Sequence, residues 1–84
     1  MADLKVEIVS VEGVLFKGSC AIAVVPALSG DIGIMHGHEA IISNLSQGEI
    51  KLIDSADNIF KSFAIEKGFA EMQGEEKLSI LVNQ

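Results

Sequence analysis

The order of apolar and polar residues divides the chain into short segments with a period of two, the spacing at which side chains alternate across a β-strand. At the start, Leu4, Val6 and Ile8 alternate with charged residues, as expected for a half-buried strand. Glycine, Asp, Asn and Ser recur about every eight to twelve residues between such segments and predict turns. No long segment keeps a helical apolar period free of glycine. We therefore predict strands at residues 4–8, 14–16, 19–25, 32–34, 40–45, 49–53, 59–66, 69–73 and 78–82.

These segments predict an all-β fold, because many short strands separated by turns usually form a sandwich or a barrel. The 84 residues leave no room for a second domain, so residues 1–84 are expected to form one. Residues 19–25 are nearly all apolar, which predicts a central strand covered on both faces. Pro26 is expected to close this strand, because proline cannot donate to a sheet ladder. We also expect a tight reversal at residues 67–68.

The stretch 30–39 concentrates the unusual residues of the chain, with three of the eight glycines and both histidines. Glycine adopts positive φ without steric cost, so this stretch predicts a loop that turns sharply more than once. Ile32, Ile34 and Met35 would anchor the loop to the core, while Asp31 and the histidines face outward. This loop is the candidate working surface.

The net charge argues against two kinds of partner, nucleic acid and an anionic membrane surface. The chain carries a charge of −6 at pH 7, has no arginine, and places its six lysines singly. Phosphate contacts need Lys and Arg, so nucleic acid is excluded and an anionic membrane surface is disfavoured. No apolar run approaches the roughly 20 residues that span a bilayer, so no direct membrane insertion is expected.

Cys20 is the only cysteine, so no intrachain disulfide can form. It lies in an apolar run, where a free thiol behaves as a small hydrophobic side chain; a reactive thiol is the alternative. The absence of a disulfide framework favours a reducing compartment.

One group of neighbouring residues could bind a metal ion. His36, His38 and Glu39 suggest a small metal-binding β-domain, because alternate residues of a strand project from one face and could ligate Zn or Fe. Gly37 between the histidines loosens the geometry of such a site. No serine or cysteine motif has a recognisable base, and no glycine-rich segment has nucleotide-binding spacing. We therefore predict no catalytic residue, no cofactor, no metal and no small-molecule substrate.

A set of short motifs, in order along nearly the whole chain, resembles a known family. The chain resembles the N-terminal domain of the epsilon subunit of the F-type ATP synthase, whose mitochondrial counterpart is called delta. The motifs are Val9-Ser10-x-Glu12, Leu15-Phe16-x-Gly18, Pro26-x3-Gly30-Asp31-Ile32-Gly33-Ile34, Gly37-His38, Leu45-x2-Gly48-x-Ile50, Gly68-Phe69-x-Glu71 and Leu78-Ser79-Ile80-Leu81.

The resemblance implies a flattened β-sandwich of about ten short strands. It also implies a non-catalytic rotor subunit of the central stalk, which joins the gamma subunit to the ring of c subunits and helps couple proton flow to ATP synthesis. Such a subunit is peripheral, at the cytoplasmic face of the bacterial inner membrane, or on the matrix or stromal side in an organelle. A generic adaptor sandwich is a further alternative.

Family members usually carry two further C-terminal helices, which can inhibit ATP hydrolysis and in some cases bind ATP. This sequence ends at Gln84, close to where those helices would begin. The 84 residues are therefore expected neither to inhibit hydrolysis by inserting helices nor to bind ATP in the family's known mode.

The resemblance places a gamma-subunit contact on a set of five residues around the end of the candidate loop. Because residues 40–42 are consecutively apolar, at least one of the two isoleucines should point away from the core. The alternative is that both are buried between sheets. The gamma set consists of Ser10, His38, Ile41, Ile42 and Ser43.

The c-ring contact is expected on the loop 27–35. Asp31 would meet the polar loops of the ring, and Leu28 and Ile32 would supply apolar contacts. The alternative for Asp31 is that its carboxylate only caps its own turn.

Overall fold

In the computed structural model, which describes residues 3–84, every regular element is a β-strand. The predicted all-β class is confirmed, with nine strands in the described part of the chain. Their bounds are β1 Leu4–Ser10, β2 Gly13–Cys20, β3 Ile22–Ala27, β4 Gly30–Met35, β5 Ile42–Leu45, β6 Gly48–Ile53, β7 Ile59–Ile65, β8 Lys67–Gln73 and β9 Lys77–Asn83.

The strands form one hydrogen-bonded sheet in the order β2-β1-β9-β8-β5-β3-β6-β7, with β4 paired to the other side of β3. The sheet curls back on itself, so that the terminal strands β2 and β7 approach each other. Phe16 of β2 contacts Phe60 and Phe63 of β7, with ring centroids 6.3 and 6.2 Å apart. The curl encloses one apolar core between two layers, as in a β-sandwich.

The first and last strands lie side by side in parallel, with Val6 opposite Leu78 and Ile8 opposite Ile80. All four side chains are buried, and Leu4 continues the same inward row. The alternation of Leu4, Val6 and Ile8 therefore marks the core face of β1, as predicted.

The predicted central strand at residues 19–25 is wrong in its bounds. The chain bends at Ala21, so that Cys20 ends β2 and Ile22 begins β3. Pro26 lies inside β3 rather than after it. On one edge β3 pairs with β6 only over residues 22–24 and with β5 only at Ala27, so Pro26 falls in the gap where no ladder hydrogen bond is required.

Most of the predicted 30–38 loop is a regular strand. β4 pairs with β3 along its whole length through the two-residue turn Leu28-Ser29. Two positions do need glycine, since Gly30 has a φ of +125° and Gly37 of +88°. Ile34 is fully buried as predicted. Met35 is 49% exposed, so it does not anchor this segment to the core.

The predicted reversal at residues 67–68 does not produce a hairpin. β7 pairs with β6, whereas β8 pairs with β5 and β9, so the chain changes position in the sheet at Glu66. The amide of Glu66 donates to the carbonyl oxygen of Asn83 (2.8 Å), which holds this crossing against the end of β9.

Candidate functional site

The outer face of β2, β1, β9 and β8 carries a line of apolar side chains that we call the apolar row: Val14, Val9, Leu81 and Phe69. The register places Val14 opposite Val9, Val9 opposite Leu81, and Leu81 opposite Phe69. Their sequence neighbours, such as Ile8, Ile80 and Ala70, point into the core, so the row points outward. Val14, Leu81 and Phe69 are 59%, 58% and 37% exposed. Four adjacent strands make the row about 14 Å long.

A shallow depression of about 430 Å³ runs beside the row. Its lining includes Ser10, Val11, Phe69 and Leu81. Val11 is 93% exposed at the β1–β2 turn. The Ser10 hydroxyl accepts from the amide of Glu12 (3.2 Å), so this buried side chain stabilises the turn that presents Val11.

The predicted gamma set is divided between two faces. Ile42 is 67% exposed and lies on the outer face, opposite Glu71 and diagonal to Phe69 of the row. Ile41 packs against the core. Because Ile42 is exposed, the alternative in which both isoleucines are buried is wrong. Ser43 faces the other side of β5 from Ile42 and is half-buried, opposite the buried Ala70.

His38 lies in the connection between β4 and β5, half-buried. Its Nδ1 is 2.8 Å from the carbonyl oxygen of Glu39, to which it donates in the Nδ1–H tautomer. The connection is tied to the neighbouring strand and turn by two backbone hydrogen bonds. Met72 donates to Ile41 (2.9 Å) and Gly37 donates to Glu75 (2.7 Å).

The predicted c-ring residues lie on the β3–β4 hairpin. Leu28, at its tip, is 71% exposed, and Asp31 is exposed on β4. Ile32 faces the opposite side of β4 and packs against the core, so it anchors the hairpin instead of projecting from it. Within residues 3–84, no side-chain hydrogen bond links Asp31 to its own turn, and the capping alternative has no support.

The histidines do not have the strand geometry on which the metal hypothesis depended. His36 and Gly37 form a turn after β4, so His36 and His38 are not alternate residues of one strand. In the described part of the chain, no three His, Cys, Asp or Glu side chains are grouped so that they could hold a metal ion.

Cys20 is buried at the end of β2, as predicted for a small hydrophobic side chain. Burial, with a smaller contribution from the negative charge of Asp3, raises the pKa of its thiol to about 11. A thiol that stays protonated at neutral pH is a weak nucleophile, which argues against the reactive-thiol alternative. Among residues 3–84 there is also no helix with the length and apolarity needed to cross a membrane.

Comparison with known proteins shows which family shares this sequence pattern. Residues 3–84 match the family described as "ATP synthase, Delta/Epsilon chain, beta-sandwich domain". The chain belongs to this family. The resemblance carried by the sequence motifs is thereby confirmed, and so is the β-sandwich class.

Relatives in several bacteria agree with this assignment. The ATP synthase epsilon chain of Corynebacterium diphtheriae is 35% identical over 81 residues, which cover 96% of this chain and 65% of the relative. That of Campylobacter lari is 34% identical over 82 residues, covering 96% and 62%. The chain thus spans less than two thirds of the length of these relatives.

Solved structures show the same fold in distant organisms. A chain in the cryo-EM structure of the Euglena gracilis mitochondrial ATP synthase (OSCP/F1/c-ring, rotational state 1) superimposes with a TM-score of 0.89 at 18% identity. The match covers all of this chain and 52% of that one. A chain of the Tetrahymena thermophila mitochondrial ATP synthase central stalk/c-ring gives 0.76 at 13%, covering 96% and 63%.

Sequence reasoning missed the apolar row. A signal was present at residues 80–82, where Ile80, Leu81 and Val82 are consecutively apolar on an otherwise alternating strand, so at least one must point outward. Phe69 gave a similar signal, because Phe69 and Ala70 are consecutively apolar and Phe69 shares its period of two with the polar Glu71 and Gln73.

Proposed function

We propose that this domain is a non-catalytic rotor subunit of the central stalk of a proton-translocating F-type ATP synthase, where it couples the gamma subunit to the c-ring. The observation that carries the proposal is the presence, on an epsilon-type β-sandwich, of two exposed surfaces of different chemistry on separate elements. These are the apolar row with Ile42, and the β3–β4 hairpin. A coupling subunit needs two such surfaces, whereas an enzyme needs one reactive site.

The gamma contact is assigned to the outer face that carries Ile42 and the apolar row. Exposed apolar side chains in contiguous positions on a small soluble domain mark an interaction surface. Ser10 acts through the turn that it stabilises. His38, in the β4–β5 connection, and Ser43, on the other face of β5, stay predicted contacts of the same subunit. Ile41 holds β5 against the core.

The c-ring contact is assigned to the β3–β4 hairpin. Leu28 at the tip and Asp31 beside it offer one apolar side chain and one carboxylate to the polar loops of the ring, with Ile32 as the anchor. The subunit would be peripheral to the membrane, at the cytoplasmic face of a bacterial inner membrane or on the matrix or stromal side in an organelle.

The experiment is to measure binding of the 84-residue chain to purified gamma subunit and, separately, to purified c-ring from the same organism by calorimetry. We expect saturable, one-to-one binding to gamma and weaker, salt-sensitive binding to the c-ring, because an exposed carboxylate contributes little free energy. A properly folded chain that binds neither component would contradict the proposal and favour a generic adaptor.

A further inference from the structure

The base of the β3–β4 hairpin accepts two hydrogen bonds from one residue of the connection between β5 and β6. The carbonyl oxygen of Pro26 accepts two hydrogen bonds from Ser46, one from its amide (2.8 Å) and one from its hydroxyl (3.3 Å). Pro26 is the next-to-last residue of β3, separated by Ala27 from the turn that carries Leu28. Ser46 thus occupies the gap that proline leaves in the ladder of β3.

The same turn also contacts the proline ring. A Cβ built on Gly48 would lie 2.8 Å from the Cβ of Pro26, closer than Cβ atoms approach in real proteins. The pyrrolidine ring cannot rotate away as a long side chain could. The backbone of Gly48 and the ring of Pro26 therefore fit only because residue 48 has no side chain. We call Pro26, Ser46 and Gly48 the clasp.

The clasp connects the two proposed surfaces along a short path. Ser46 directly follows β5, whose last residue, Leu45, lies opposite Ala27 of β3. Ile42 begins β5, and the strand rises about 10 Å between Ile42 and Leu45. The strand β5 therefore begins at the proposed gamma surface and is followed directly by Ser46, which hydrogen-bonds the base of the hairpin.

We propose that the clasp is a positioning device, which fixes the orientation of the β3–β4 hairpin relative to β5 and hence of the c-ring contact relative to the gamma contact. The inference rests on the proposed function for the identity of the two partners. Ser46 and Gly48 act through Pro26 and need not contact either partner.

The first test compares Gly48→Ala with Gly33→Ala in the assembled ATP synthase of the same organism. Gly33 lies in the same hairpin, has no positive φ, and an added Cβ would meet only Ile22 Cγ2 at an ordinary 3.6 Å. Each substitution is combined with Asp31→Cys, for cross-linking to the polar loop of subunit c, or with Ile42→Cys, for cross-linking to gamma.

We expect Gly48→Ala to reduce the yield of the cross-link from position 31 to subunit c, with that from position 42 to gamma unchanged, and Gly33→Ala to change neither. Equal yields from position 31 in both variants would overturn the inference. If position 31 fails to reach subunit c even with Gly48 present, the c-ring assignment in the proposed function is wrong, and the second test decides the clasp.

The second test needs no partner. Amide hydrogen exchange of the 84-residue chain is compared for wild type, Gly48→Ala, Ser46→Ala and Gly33→Ala. Loss of one neutral hydrogen bond should speed local exchange roughly fivefold. We expect this faster exchange at residues 28–31 and at the amide of residue 46 in both Gly48→Ala and Ser46→Ala. Exchange in β1 and β9 should stay unchanged. Exchange that rises uniformly along the chain, or not at all at the hairpin, would show that the clasp does not position it.

Discussion

The apolar row and the β3–β4 hairpin are both exposed, but they are supported in different ways. Of the four strands that carry the row, β1, β9 and β8 are paired on both sides, and the residues beneath the row belong to the core. The hairpin tip is a two-residue turn, and its base is held by Ser46. The row therefore lies on strands whose other face is the core, whereas the hairpin tip projects beyond its core residues Ile32 and Ile34, and its base is bound by Ser46.

The two regions also differ in the side chains that they offer to a partner. The row offers Val14, Leu81 and Phe69, whose burial by a partner would supply affinity in proportion to area. The hairpin offers one carboxylate and one leucine, a small set that suits orientation better than strength. In the proposed rotor, the domain would hold gamma tightly through the row and align itself on the c-ring through the hairpin.

The largest expected effect comes from placing a charge in the apolar row. Leu81→Glu should weaken gamma binding by about 2–3 kcal/mol, roughly 30- to 160-fold in Kd, because an apolar contact is lost and a carboxylate is desolvated. Calorimetric titration with gamma measures this loss. The matched control is Ile59→Glu, since Ile59 is similarly exposed (56%) but lies on β7, which carries no residue of the row. Equal losses in both variants would mean that the row is not the gamma surface.

The second prediction tests the core that both surfaces share. The pKa of Cys20 rises from 9.0 in the absence of burial to about 11 in the folded domain, so folding favours the protonated thiol. That stabilisation is fully present below pH 9 and is lost as the pH rises through 11; its size is on the order of 2 kcal/mol.

The measurement is the free energy of unfolding by denaturant between pH 8 and pH 11. The fall in this range should be smaller in Cys20→Ala than in wild type, even though the variant is less stable at pH 8 because it loses the buried sulfur. Wild-type and variant curves that stay parallel would contradict the prediction. Gamma and c-ring binding should decline together with the folded fraction, because neither surface has a core of its own.

The smallest effect is expected at the hairpin. Asp31→Asn should change c-ring affinity by only about 0–1 kcal/mol, since an exposed ion pair is screened by solvent. Its signature should be a reduced dependence of c-ring binding on salt concentration, with gamma binding unchanged. An affinity loss as large as that of Leu81→Glu for gamma would remove the distinction between an affinity surface and an orienting one.

Much of the fold follows from local patterns in the sequence. Alternation identifies the core face of β1, and the Asp- and Asn-rich segment 54–58 forms a turn in which Asp54 Oδ1 accepts from the amides of Ala56 and Asn58, both at 2.9 Å. The single domain expected for residues 1–84 stays a prediction. Of the candidate site, the exposure of Asp31 and the outward position of one of the two isoleucines follow from neighbouring residues, but which isoleucine points outward does not.

Other features depend on which strands become neighbours, and no local pattern contains that information. The parallel pairing of β1 with β9 joins segments about 70 residues apart, and it is this pairing that brings Val9 beside Leu81. The break at Ala21 separates β2, which pairs with β1, from β3, which pairs with β4 and β6. The place of Pro26 within β3 depends on the gap between the pairings with β6 and β5.

The sequence by itself determined most of the strand segments, most of the inward side chains and the family, because these depend on residue type and on a period of two within each segment. Only the tertiary structure decided that four outward side chains from four strands form one row, and that Ser46 grips Pro26. A period of two states which side of its own strand a residue faces. It does not state which strand lies alongside, since that is settled by how all the apolar faces are buried together in one curled sheet.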